Sequence, residues 1–189
     1  KWFPAGSNVP LNKLVLARFE FDRGTLALTE AGTKRRASLH LARGRDALSA
    51  HDPGGIDPLA CNLMDFTTRL QQENHTLKRA LADPRAFSGI GNSYSDEILH
   101  RAQLSPLALS QKLAPPEIAR LHQATREVLE EWLSRLRREA REKFPEKVTA
   151  FRPEMAVHGK FKQPCPVCGA LVQRIVYAEN ECNYCPICQ

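Results

Sequence analysis

The chain has no apolar run approaching the ~20 residues that cross a bilayer. No stretch joins a basic start, an apolar centre and a small-residue cleavage site, so nothing legible directs export. Internal repeats and low-complexity tracts are missing too. These absences argue against a membrane-spanning or secreted class and leave a soluble chain. Its 189 residues suffice for one moderate core or two small ones. Basic residues outnumber acidic ones, 27 to 21, for a net charge of +6. The isoelectric point near 9.2 favours acidic partners such as nucleic acid, although a mild excess is weak evidence alone. The start, Lys1-Trp2-Phe3-Pro4, has no Met, no cap and no visible approach to a helix or strand. It is expected to be the interior of a longer protein.

Cysteine is scarce, and four of the six are tightly arranged. Cys165-Pro-Val-Cys168 and Cys185-Pro-Ile-Cys188 form C-x2-C-x16-C-x2-C. Two knuckles, each placing two sulfurs on one turn, suit tetrahedral zinc with a β-hairpin between them. A pair of disulfides is the rival, disfavoured without a secretory signature. Cys182 lies close to Cys185, but the x2 spacing on both sides argues against it as a ligand. Cys61 reads as a small buried filler. His158 is expected on the surface, because four cysteines already close the site.

The second organised stretch is Leu81–Leu104, two helical patterns about the hinge Ser88-Gly89-Ile90-Gly91. Asn92 or Ser93 can cap the second helix, with Asp96 and Glu97 in its first turn suiting the dipole. Tyr94, Ile98, Leu99 and Ala102 make one buried stripe. Ser88 to Asp96 is too polar to be core. Glycines feeding a helix start expose backbone N–H groups, a seat for phosphate. An ordinary helix–turn–helix corner is the plain alternative.

Taken in order, residues 13–43 suggest three strands, with Leu14, Leu16, Phe19 and Phe21 on the first. Leu26-Ala27-Leu28 follows the turn Asp22-Arg23-Gly24, and Ser38–Ala42 is the third. Thr33-Lys34-Arg35-Arg36 is either a solvated loop or a phosphate clamp. The turn formers from His51 to Pro58 mark a junction. Helices follow: one striped by Leu63, Phe66 and Leu70, a short one at Thr76–Leu81, and the corner. The longest begins at Pro115-Pro116-Glu117, with Ile118, Leu121, Thr125, Val128, Trp132 and Leu136 inward. Arg135, Arg137, Arg138, Arg141 and Lys143 load its end, a solvated face first and a DNA contact second. Met155-Ala156-Val157-His158 suits a short strand. The expected class is α+β, with a partial N-terminal β-domain (1–50), a helical domain (51–146) and a linker with a β-hairpin zinc ribbon (147–189).

Gly91-Asn92-x-Tyr94-x-x-Glu97 followed by a long helix and the four-cysteine ribbon resembles the formamidopyrimidine-DNA glycosylase / endonuclease VIII family. The resemblance covers essentially residues 13–189, from the corner through Val157-His158-Gly159 to Cys188-Gln189. It identifies the corner as a helix–two-turns–helix. It implies that Asn92, within its motif with Tyr94, meets phosphates flanking a lesion in damaged double-stranded DNA. Lys78 is implied to lie close to the lesion-side backbone. Lys34 and Arg35 would enter the duplex near the base left unpaired by flipping. Thr149, Ala150 and Phe151 fall where the family's loop covers the flipped base. One structural zinc, a monomeric state and a bacterial cytoplasmic setting follow from the same likeness.

Three departures qualify it. The family's opening Pro-Glu-Leu-Pro-Glu, whose proline amine attacks the sugar and whose glutamate shuttles protons, is absent from these residues, so no catalytic residue is assigned. Asn180 replaces a ribbon arginine, keeping hydrogen bonding but losing charge and fork. Arg36 replaces the wedging phenylalanine after the Arg-Arg pair, though guanidinium also stacks. The implied activity is excision of oxidised or ring-opened bases with β-elimination, here in a fragment without the active end. A non-catalytic zinc-ribbon DNA-binding protein is the rival reading.

Overall fold

A computed structural model describes residues 1–10, 14–30, 36–141, 151–177 and 180–189. The chain divides into two compact units. One comprises Lys1–Ala50 and Arg137–Val148, the other His51–Leu136 and Thr149–Gln189. The helical residues up to Leu136 and the ribbon fall in the second of these.

The first unit contains an antiparallel sheet of β1 (Trp2–Pro4), β2 (Val15–Phe21) and β3 (Gly24–Thr29), in the order β1-β3-β2. Alternating apolar residues make β2 and β3 legible, and Asp22-Arg23 turns between them. Gly24 is required where β1 crosses: a side-chain carbon there would meet the Phe3 carbonyl at 2.3 Å. Trp2 and Phe21 pack at 6.1 Å between ring centroids. Two expectations fail here. Residues Trp2–Pro4 are a strand, and Ser38–Ala42 is not. The latter alternates correctly but joins no strand pair among the described residues, leaving Leu41 94% exposed. Strand formation needs a partner edge as well as a pattern.

The second unit is built on α1 (Leu63–Gln71), α2 (Leu77–Ala82), α3 (Asn92–Ala102) and, as far as Leu136, α4 (Pro115–Ala140). Asn62 caps α1 by accepting the Asp65 N–H at 2.9 Å. Phe66 and Leu70 are buried, whereas Leu63 faces outward. Along α4, Ile118, Leu121, Thr125, Val128 and Trp132 are buried, but Leu136 is exposed, one turn beyond the packed surface. Phe66, Phe87, Leu77, Leu81, Ile98, Leu99 and Leu121 form the centre of the core. Each such side chain contributes roughly 1.5–3 kcal/mol by burial.

The ribbon pairs β4 (Gln173–Tyr177) with β5 (Asn180–Tyr184). Its small core is Val157, Cys165, Val172 and Cys185. The segment Met155–His158 is turn and bend, not the expected strand. No helix among the described residues is long and apolar enough to cross a membrane.

Candidate nucleic-acid interface and metal centre

The corner between α2 and α3 is set by local chemistry. The Asp83 carbonyl accepts the N–H groups of Ala86 and Phe87, and its carboxylate holds the Arg85 backbone and guanidinium. That bonding to Arg85 brings the Asp83 carboxyl down to about 2 despite some desolvation. Gly89, at φ +79°, makes the left-handed bend. Gly91 caps α3, and Asn92 and Ser93 are already helical. The expected side-chain cap is therefore absent, which leaves the first-turn N–H groups without intrahelical acceptors.

Asp96 and Glu97 are not dipole-facing surface acids either. Both are buried and reach across to other elements. Asp96 accepts from Lys78 Nζ at 2.5 Å, from His158 Nδ1 at 2.8 Å and from the Asn183 backbone N–H at 3.1 Å. Glu97 accepts the backbone N–H groups of Ala156, Val157 and His158 at 2.7, 2.9 and 2.9 Å. These two neighbours on one helix fasten the segment before the ribbon and, through Asn183, the ribbon itself. Ser93 and Ser95 are buried with them, so the polar corner is part of the interior. His158, expected on the surface, is fully enclosed for the same reason. Its sequence signal was the carboxylate 62 residues earlier, which no local pattern exposes.

Lys78 is enclosed as well. It is 3% exposed, and Nζ also donates to the Asn92 carbonyl at 2.5 Å and Ser95 Oγ at 2.8 Å. It braces the first turn of α3 from beneath. Asn92 is half-buried, and its Nδ2 donates to the Glu181 carbonyl of β5 at 3.0 Å. An amide nitrogen carries two hydrogens, so one remains for another acceptor. The residue joins the corner to the ribbon beside Asn180, which is exposed at the start of β5. Tyr94 is half-buried and packs on Trp132 at 5.9 Å, and burial pushes its hydroxyl above its ordinary range. Trp132 also carries Arg135 at 4.7 Å. Lys34 and Arg35, like Thr149 and Ala150, lie outside the described residues. Arg36 is described, and its backbone N–H donates to Glu30 Oε1 at 2.6 Å.

The sulfurs of Cys165, Cys168, Cys185 and Cys188 all lie within 4.8 Å of one another. A tetrahedral ion with ~2.3 Å bonds to sulfur sets its ligands about 3.8 Å apart. Cys165 and Cys188 stand 3.9 Å apart, and Cys168 and Cys185 3.4 Å. The four can therefore hold one metal ion. Backbone N–H groups of Val167 and Cys188 point at the sulfurs of Cys165 and Cys185. Burial pushes the Cys185 thiol up, but the Cys188 and Ile187 N–H groups outweigh it and bring it down to about 7. Cys182 is outside the cluster, as its spacing implied. Burial, then the Asp96 charge, push it up to about 12, so it stays a thiol. His100 of α3 sits 3.3 Å from Cys165 Sγ, a partner that sequence spacing did not reveal.

The model for the formamidopyrimidine-DNA glycosylase H2TH domain matches residues 55–141. A formamidopyrimidine-DNA glycosylase-like protein of Mycobacterium tuberculosis is 35% identical over 135 residues, 71% of this chain and 84% of that protein. The chain belongs to the formamidopyrimidine-DNA glycosylase family. Another member, the formamidopyrimidine-DNA glycosylase of Bacillus cereus, is 30% identical over 186 residues, covering 95% of this chain and 67% of its own. The chain thus spans about two thirds of that glycosylase. The fold extends over the whole chain in Lactococcus lactis Fpg, solved with DNA containing an abasic site, at a TM-score of 0.76. That protein shares 21% identity, and 71% of it is covered. The α+β class and the corner-plus-ribbon organisation are those of this glycosylase family.

Proposed function

We propose that these residues are the duplex-holding part of a base-excision-repair DNA glycosylase with β-elimination lyase activity on oxidised or ring-opened bases. The observation that carries the reading is the bond from Asn92 Nδ2 to the Glu181 carbonyl. It sets the phosphate-seeking corner and the ribbon tip at Asn180 side by side, as one gripping edge. Asn92 and the first-turn N–H groups of α3 hold phosphates, and Asn180 adds hydrogen bonds without charge. Lys34, Arg35 and Arg36 supply the cationic clamp, while Tyr94 and Lys78 support the corner from inside. One zinc ion held by Cys165, Cys168, Cys185 and Cys188 is structural, because four thiolates leave no open position. The setting proposed is a monomer in the bacterial cytoplasm, on damaged double-stranded DNA.

The Schiff-base amine is not assigned to any of these residues. The Lys1 terminal amine donates to the Ala27 carbonyl at 2.7 Å, and the Lys78 amine is enclosed by three acceptors. Duplexes carrying 8-oxoguanine or an abasic site, compared with undamaged duplex, provide the test. Preference for the damaged forms is expected, with binding weakened overall in Asn92→Ala and Lys34→Ala and the log–log salt slope flattened by roughly one in Lys34→Ala. Equal affinity for damaged and intact duplex overturns the reading. Borohydride trapping by this 189-residue chain is expected to give no efficient adduct, and robust trapping places the nucleophile within it.

A further inference from the structure

Each knuckle of the cysteine cluster is fastened to α3. That helix buries Ile98, Leu99 and Ala102 in the helical core, and its period turns Asp96 and His100 to the opposite side, toward the ribbon. His100 is 7% exposed, and its Nε2 lies 3.3 Å from Cys165 Sγ of the first knuckle. Just past the helix, Gln103 takes the left-handed turn at φ +53°, and the Leu104 N–H returns to the Leu99 carbonyl at 3.1 Å. The Leu104 carbonyl accepts Gln189 Nε2 at 3.2 Å, while Gln189 Oε1 accepts the Cys185 N–H of the second knuckle at 2.9 Å. The backbone N–H groups of Val167 and Cys188 reach the sulfurs from inside the knuckles, whereas His100 arrives from 65 residues away. A divalent ion with four thiolates carries a net double negative charge, and Cys165 is enclosed where water cannot offset it. A thiolate has no proton to donate, so an imidazole nitrogen bonded to it must carry the hydrogen.

We propose that His100 belongs to the metal centre: its Nε2–H donates to the metal-bound Cys165 thiolate, a positioning residue that sets how tightly the four cysteines hold zinc. This rests on the metal reading above, that the four cysteines hold one ion, and goes beyond it. The hydrogen bond offsets charge on the Cys165 sulfur, makes it a poorer base toward an incoming proton and fixes its direction. Losing such an outer partner lowers metal affinity by about 10–100-fold. Retention of the ion thus depends on α3 as well as on the ribbon.

The test follows loss of zinc from the whole chain to the chelator 4-(2-pyridylazo)resorcinol. After exchange for cobalt(II), it also follows the sulfur-to-metal charge-transfer absorption. His100→Phe keeps a ring in the same space without a donor. It is expected to lose zinc about tenfold faster and to move the cobalt band to longer wavelength, because a sulfur without its hydrogen bond gives up electron density more easily. His100→Gln supplies an amide N–H in place of Nε2–H and is expected to restore both readings. A role confined to packing leaves the band unmoved in His100→Phe, or moves it equally in His100→Phe and His100→Gln. Either outcome, in folded chains that bind metal, overturns the role of His100 alone. Should His100→Phe fail to fold, the flexible His100→Met, which also lacks a donor, is read in its place. A parent chain that takes up no zinc overturns the metal reading and this inference with it.

Discussion

The helical body and the ribbon are held together by different means. The helical core is closed by Phe66, Phe87, Leu99, Leu121 and their neighbours, a set large enough to exclude water by itself. The ribbon buries Val157, Val172, Cys165 and Cys185, so half of its interior is cysteine. Apolar burial closes the first, whereas the second gathers four cysteine sulfurs that can hold one metal ion. Between them lies a third means, the enclosed carboxylates of Asp96 and Glu97. The contrast teaches that the corner's shape depends on charges that neither core supplies.

Removing the metal is the strongest way to break the comparison. Binding of structural zinc contributes on the order of 10 kcal/mol to comparable small modules. Chelation is expected to unfold the ribbon while α1 to α4 persist, seen as proteolysis confined to the region after residue 159. Simultaneous loss of the helices shows instead that the two cores are one cooperative unit.

Asp96→Ala comes next. It leaves the Lys78 ammonium enclosed without its counter-charge, a loss of about 3–5 kcal/mol in denaturant unfolding. Lys78→Met combined with Asp96→Leu is expected to cost less than Asp96→Ala alone, because no unpaired charge remains. A double variant as unstable as the single one shows that the His158 and Asn183 bonds outweigh the ion pair.

The smallest effect sharpens the boundary of the metal site. Cys182→Ser is expected to keep one zinc per chain by metal analysis, and a loss to zero means that the ligand set is wrong. Cys182 also titrates. Its folded value, about 12, lies above the ordinary thiol value of 9.0. The thiol's contribution is thus complete below pH 9 and declines as pH rises through 9 towards 12. Alkaline unfolding curves are expected to fall less steeply over that window in Cys182→Ser.

Much of the fold and part of the site were legible in the sequence, and the boundary between the two follows sequence distance. The cysteine knuckles, the glycine corner and the stripe on α4 each express chemistry within a few residues of themselves. Asp96 and Glu97 looked like first-turn acids because helix position is local, whereas their partners lie 18 residues back, at Lys78, or 59 and more ahead. His158 was misplaced for the same reason: an ionisable side chain reads as exposed until its buried counter-charge is known. Leu39 and Leu41 alternate as a strand does, but the edge of β3 is taken by Trp2–Pro4.

Glu97 has one more consequence. Three successive N–H groups, from Ala156 to His158, converge on its carboxylate. Such a converging nest of amides is an anion receptor, and free phosphate fits it as well as carboxylate does. Glu97 is a resident anion, a covalently tethered tenant that fills this receptor from within the chain.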